Sequence, residues 1–359
     1  MTRPPRHAGR VALMAAGVVL MVAGGWAGLS RMGWAFPTRP GLLANHGVIM
    51  VVGFLGTAIG VERAVGAGRT WAFAAPILTS AGAIGLALGA PVPLAGSVMA
   101  LGALVLALTM GFIARLAGGL VGVSLALSGV SLLLGTATFA TGGATEAMVG
   151  WLIAFLVLVI AGERLELSRL LSAPRWAVLV FGALCGLLLI GIGVFPVARR
   201  VGITLAGVSL VGLSAWLLRY DISARLVRAG GRHAFSAVAL LAGYVWLAAA
   251  GALFAWRGAH GSGWIDDAAL HAIFLGFAIS MVFGHAPIVV GAIVGRSMSF
   301  HAAAYAPLVL LHGSVLMRVV GWLGGITWSW RASGLVSGLA VLLFLLTTLV
   351  SLRSPQRVL

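Results

Sequence analysis

Few residues in this chain can do chemistry, because only 8% of its 359 residues are charged. His46 and His271 each stand near the start of a long apolar run. Two neutral imidazoles at one depth on different membrane helices are what a six-coordinate haem requires, one nitrogen for each axial position of the iron. The alternative is that each ring hydrogen-bonds a neighbouring helix at the headgroup boundary. His285 lies 14 residues beyond His271, which on a helix is about 21 Å of rise and about 40° around the axis. The two share a face but not a ligand, so His285 groups with a second layer formed by Glu62 and Glu163 and their neighbours Arg63 and Arg164. Carboxylates with an imidazole could hold a metal or relay protons. They could equally anchor helix ends at the membrane boundary. His312 and Arg318 follow on the next run. An arginine so far into an apolar segment wants an anion, such as a haem propionate held in its fork, unless it snorkels to the headgroups. His312 is either a third ligand or a buried hydrogen-bond partner.

The elements that must position these residues are membrane helices. The chain is 61% hydrophobic, and nearly every stretch of about 20 residues is apolar enough to span a hydrocarbon core of about 30 Å. Twelve spans are expected, near 11–29, 41–61, 71–90, 93–114, 116–140, 147–162, 176–198, 201–218, 234–256, 268–295, 302–322 and 333–351. The weakest boundaries are at Pro91 and Pro93 and at Arg115. No gap holds a soluble domain, so residues 1–359 read as one transmembrane domain of all-α class. The first span follows a basic segment but is too long for a signal peptide and lacks a clear cleavage site, so it reads as retained. Pro287, two residues after His285, should kink its helix and free backbone carbonyls.

All 23 basic residues are Arg, and no basic run of the nucleic-acid type occurs. Counted over alternate connectors, sixteen arginines fall on the side of the N-terminus and six on the other, with Arg318 inside a span. That bias places both termini in the cytoplasm. Cys185, the single cysteine, sits in an apolar run, which excludes disulfides, CxxC redox chemistry and thiolate metal clusters.

The second span ends FLGTAIGVERAVG and the sixth ends FLVLVIAGERLELS. The tenth runs the same way and reaches FGHAPIVVG, with His285 about where the two glutamates sit. Echoes at the second, sixth and tenth spans suggest three arcs of four helices.

HGVIMVVGFLGTAIGVERA, LHAIFLGFAISMVFGHAPIVVGAIVGR and LHGSVLMRVVGWL resemble segments of the NnrS family of haem- and copper-containing membrane proteins, a family associated with bacterial resistance to nitric oxide. The helix plan also resembles the catalytic subunit of haem-copper oxidases, whose second, sixth and tenth helices supply metal ligands. The resemblance implies His46, His271 and His285 as haem or metal ligands, Arg318 as a propionate partner, a b-type haem, copper as a second metal, and an electron-donor protein. The sixth span has no His and the seventh no His pair, so a complete oxygen-reducing centre is not expected. The sequence therefore reads as a haem protein of the bacterial inner membrane in nitric oxide or respiratory redox physiology. A secondary transporter using intramembrane Glu, Arg and His and a cofactor-free assembly factor are the other classes it fits.

Overall fold

The computed structural model describes residues 7–168, 173–260, 266–295 and 298–353. Of the arginines counted for orientation, Arg3, Arg6, Arg169, Arg296 and Arg357 lie outside the described residues. Among the described residues there is no strand, and twelve helices are long and apolar enough to cross a membrane. They are α1 (His7–Arg31), α2 (His46–Ala67), α3 (Thr70–Leu88), α4 (Val92–Ala117), α5 (Gly119–Ala140), α6 (Thr145–Ser168), α7 (Arg175–Val194), α8 (Arg199–Tyr220), α9 (Gly231–Gly258), α10 (Asp267–Val294), α11 (Ala302–Leu323) and α12 (Thr327–Leu352).

Several ends differ from the sequence expectation for local reasons. The second span was expected from residue 41, but the chain breaks at Asn45, after a short helix Pro40–Ala44. The Asn45 side chain donates to the Gly41 carbonyl at 2.8 Å, a local bond that competes with helix continuation. At the other end α2 continues to Ala67, and α6 continues to Ser168. Glu62-Arg63 and Glu163-Arg164 therefore lie inside their helices, a turn or more before the ends. The break expected at Arg115 falls instead at Gly118, whose φ of 65° is one that a side chain rarely adopts.

α2 and α10 each contain a π-helical stretch, Ile49–Gly56 and Ala272–Ile279. Such stretches are rare and concentrate at functional sites. The two stretches share a register: Gly53-Phe54 corresponds to Gly276-Phe277, Thr57 to Ser280, and Glu62 to His285.

The chain divides into two compact units, Met1–Glu163 and Arg164–Leu359. The cut falls inside α6, not at a boundary between groups of four helices. In the first unit α1 packs on α2 and α3, α2 on α3 and α4, and α4 on α5; Ser124 of α5 donates to the Leu158 carbonyl of α6 at 2.8 Å. In the second unit consecutive helices from α7 to α12 pack on one another, and α10 also meets α12. Small residues set these approaches: a methyl on Gly251 of α9 would stand 2.7 Å from the Gly207 carbonyl oxygen of α8, so the backbones meet where lipid gives no hydrophobic drive.

Candidate functional site

The start of α10 is built around two adjacent carboxylates. Asp266 caps the helix by accepting from the Ala269 amide at 3.0 Å, as N-terminal orphan amides require. Its Oδ2 is paired with Arg257 Nε at 2.7 Å, and Trp322 Nε1 points at it from 3.4 Å. Asp267 takes both arms of Arg318, Nε to Oδ2 at 2.8 Å and Nη2 to Oδ1 at 2.9 Å. Trp330 Nε1 donates to the same Oδ2 at 2.9 Å, and its ring lies 5.8 Å from the Arg318 guanidinium carbon. Arg318 is 7% exposed and Asp266 3%, so each pair has one buried member, and the buried Arg318 has its guanidinium matched by both oxygens of Asp267, the arrangement that makes such burial tolerable. The clamp fastens the end of α9, the start of α10, the end of α11 and the start of α12 together. The anion that Arg318 wants is thus supplied by the chain.

His271 is one turn into α10. Its Nδ1 donates to the Asp267 carbonyl at 2.7 Å, with Asp267 Oδ1 at 3.4 Å. His46 opens α2, and its Nδ1 donates to the Gly24 carbonyl at 3.3 Å. A carbonyl only accepts, so in both rings Nδ1 carries a proton, and in the neutral form the lone pair is on Nε2. The two residues belong to different units. His312 is arranged otherwise: Trp246 Nε1 donates to its Nδ1 at 3.0 Å, so Nε2 carries the proton and donates to Ser280 Oγ at 3.3 Å. Ser280 in turn donates to the Ala239 carbonyl at 2.7 Å. Of the two roles open to His312, this is the buried hydrogen-bond partner, a link between α9, α10 and α11.

A second group of charges lies further along these helices. In the first unit Arg63 is paired with Glu163, while Glu62 stands 3.7 Å from the same guanidinium and is far more exposed. In the second unit Arg164 Nη2 donates to His285 Nε2 at 2.8 Å, and His285 Nδ1 donates to the Met281 carbonyl at 2.7 Å. The Gly284 carbonyl accepts from Ser236 Oγ at 2.6 Å, beside the Phe283 carbonyl that Pro287 leaves without its helical donor. Near Arg164 are two residues that sequence reasoning passed over. Tyr244 of α9 is fully buried and faces Asp221 and Ser223 in the connector after α8, within electrostatic range of Arg164. Asp221 Oδ1 accepts from the Ser223 amide at 2.7 Å. Among the described residues, however, Asp221 Oδ2, Tyr244 Oη and Arg164 Nε reach no hydrogen-bond partner.

These contacts bear on the two groups implied by resemblance. The Nδ1-protonated tautomer of His46 and His271 is the form in which a histidine binds iron through Nε2, with its other nitrogen steadied by a carbonyl. In the second unit a cation at His285 would have to displace Arg164 from the Nε2 lone pair, and in the first unit a cation at Glu163 would have to displace Arg63. Among the described residues, no three His, Cys, Asp or Glu side chains gather as metal ligands would.

Asp221, Asp266, Asp267, Tyr244, Arg257 and Trp330 were the functional residues that sequence reasoning missed. One signal could have found the aspartates: the chain has only seven acidic residues, and two of them are adjacent at the mouth of a span.

Twelve membrane-length helices with charge pairs held inside them define a multi-pass membrane protein of the all-α class. The chain belongs to the family described as a domain of unknown function (DUF8744), whose model matches residues 10–353. No curated protein matches it.

Proposed function

We propose that this protein is a haem-binding protein of the bacterial inner membrane, with both termini cytoplasmic, acting in the nitric oxide response or in respiratory redox metabolism. The observation that carries the proposal is the Nδ1-to-carbonyl contact that His46 and His271 share. Each stands at the start of its helix, directs Nδ1–H to a carbonyl and, when neutral, carries its lone pair on Nε2. Each is followed within three residues by a π-helical stretch. The NnrS-like motifs around the two histidines support the same assignment. When bound, the haem would supply one-electron redox chemistry, with both axial positions taken by the two histidines. Asp267 would hold His271 in orientation, and Arg318, committed to Asp267, would fix that carboxylate rather than a propionate.

The test is spectroscopic. His46→Ala and His271→Ala should each abolish or shift the low-spin haem spectrum of the purified protein, whereas His233→Ala should leave it unchanged. An unaltered spectrum in both ligand variants would count decisively against the assignment.

A second reading, a secondary transporter, is favoured by one observation: the buried polar atoms of Asp221, Tyr244 and Arg164 that reach no partner among the described residues. Intramembrane ionisable groups of this kind mark ion or substrate pathways. A colourless protein that moves a solute in vesicles would decide for it.

A further inference from the structure

Four arginines crowd the last turn of α8, the connector after it and the start of α9: Arg219, Arg225, Arg228 and Arg232. All four are exposed, and among the described residues none is paired with a carboxylate. Asp221, the acidic residue in this stretch, is 1% exposed and turned inward to Tyr244 and Ser223. Their charge is therefore presented outward.

Arg232 stands at the edge of a small cavity between the start of α9, the last turns of α10, the start of α11 and the end of α12. The polar part of its wall is made of His301, Ser299, Thr347, Thr348 and Ser351. Ser299 Oγ is 3.2 Å from His301 Nε2 and donates to the Ser351 carbonyl at 3.2 Å, which ties the α10–α11 connector to α12. The rest of the wall is apolar: Phe235, Pro287, and the stacked rings of Phe283 and Phe344, whose centroids are 3.9 Å apart. Two helices start here and two finish, so all four reach one side of a membrane at this point and the cavity lies towards headgroup depth. Cation and hydroxyls at the mouth above an aromatic wall match an amphiphile whose head is anionic. Basic pockets between transmembrane helices recognise acidic lipid heads in this way.

We propose that this cavity binds the headgroup of an anionic phospholipid, with Arg232 pairing its phosphate, the hydroxyls of Thr348 and Ser351 giving it hydrogen bonds, and an acyl chain lying along Phe235 and Phe344. Arg225 and Arg228 gather such lipids around the site. A soluble phosphate would satisfy Arg232 but leave the aromatic wall unused. The lipid uses both.

The experiment uses the full-length protein, delipidated in detergent and offered phosphatidylglycerol or phosphatidylcholine with identical chains, with inorganic phosphate as a third arm. Native mass spectrometry counts lipid retained, and thermal unfolding reads stabilisation. Phosphatidylglycerol should be retained at least tenfold more strongly than phosphatidylcholine and should raise the unfolding temperature. The double variant Arg232→Gln, His301→Gln should lose that preference, and Arg200→Gln, at the opposite helix ends, should keep it. Where the double variant does not fold, Arg232→Gln alone, an exposed change, should still lower the preference at least threefold. Equal retention of the two lipids, an undiminished preference in the Arg232 variants, or displacement of phosphatidylglycerol by equimolar inorganic phosphate would each overturn the proposal.

Discussion

At the scale of single residues, the charges held inside the helices are stabilised by partners, and exposure separates those that matter most. Asp267→Asn removes the carboxylate beneath a guanidinium that is 7% exposed. Breaking a buried pair by removing one partner costs about 3 to 5 kcal/mol, because the other charge stays buried. Thermal unfolding in detergent should register that loss, and Arg318→Lys should not be a neutral change, since an ammonium cannot make the forked contact. Glu62 and Glu163 provide a controlled contrast around one arginine. Glu62 is 40% exposed and 3.7 Å away, so Glu62→Gln should cost about 1 kcal/mol or less. Glu163 is the closer and more buried partner, and Glu163→Gln should cost clearly more in the same assay. Equal costs would mean that neither pairing is specific. For His285, replacement by Ala leaves Arg164 without its acceptor, a loss of about 1 to 3 kcal/mol; His285→Gln, which keeps an acceptor, should recover part of it. Arg318 and His285 could be recognised in the sequence as costly residues that must have partners. Their partners could not be. Asp267 lies 51 residues from Arg318, and His285 lies 121 from Arg164; only helix packing brings each together.

At the scale of elements, the spans were legible because bilayer thickness fixes a length that composition must satisfy. The π-helical stretches were not, since an i to i+5 ladder uses the same apolar residues as an ordinary helix. Their register was half legible: the echo that aligned His285 with Glu62 reappears as the alignment of Gly53-Phe54 with Gly276-Phe277. Gly276 shows what one stretch accommodates. A Cβ there would stand 2.5 Å from Trp246 Cγ, and Trp246 holds His312 through its indole N–H. Gly276→Ala must therefore push the indole aside, costing about 1 to 3 kcal/mol as overpacking does. It should also alter the His312 environment, readable as a shift of the His312 ring signals in NMR. Gly25→Ala, with open space around it, should be silent in both measurements.

At the scale of the whole molecule, composition established the all-α membrane class, while the division after Glu163 was invisible because it falls within a continuous helix. Orientation rests on the distribution of arginines. Reporter fusions after Arg353 should be active only in cytoplasmic form, and fusions in the connector between α7 and α8 only in periplasmic form; the reverse pattern would invert the topology. Function was legible only as a set of candidates, since fold alone does not carry chemistry. The most direct measurement is the visible spectrum of the purified full-length protein, expressed with adequate haem supply and followed by a pyridine haemochrome assay. Ligation by His46 and His271 predicts a Soret band, sharp visible bands on reduction and b-type haem in stoichiometric amount. A protein that stays colourless after haem reconstitution would contradict it.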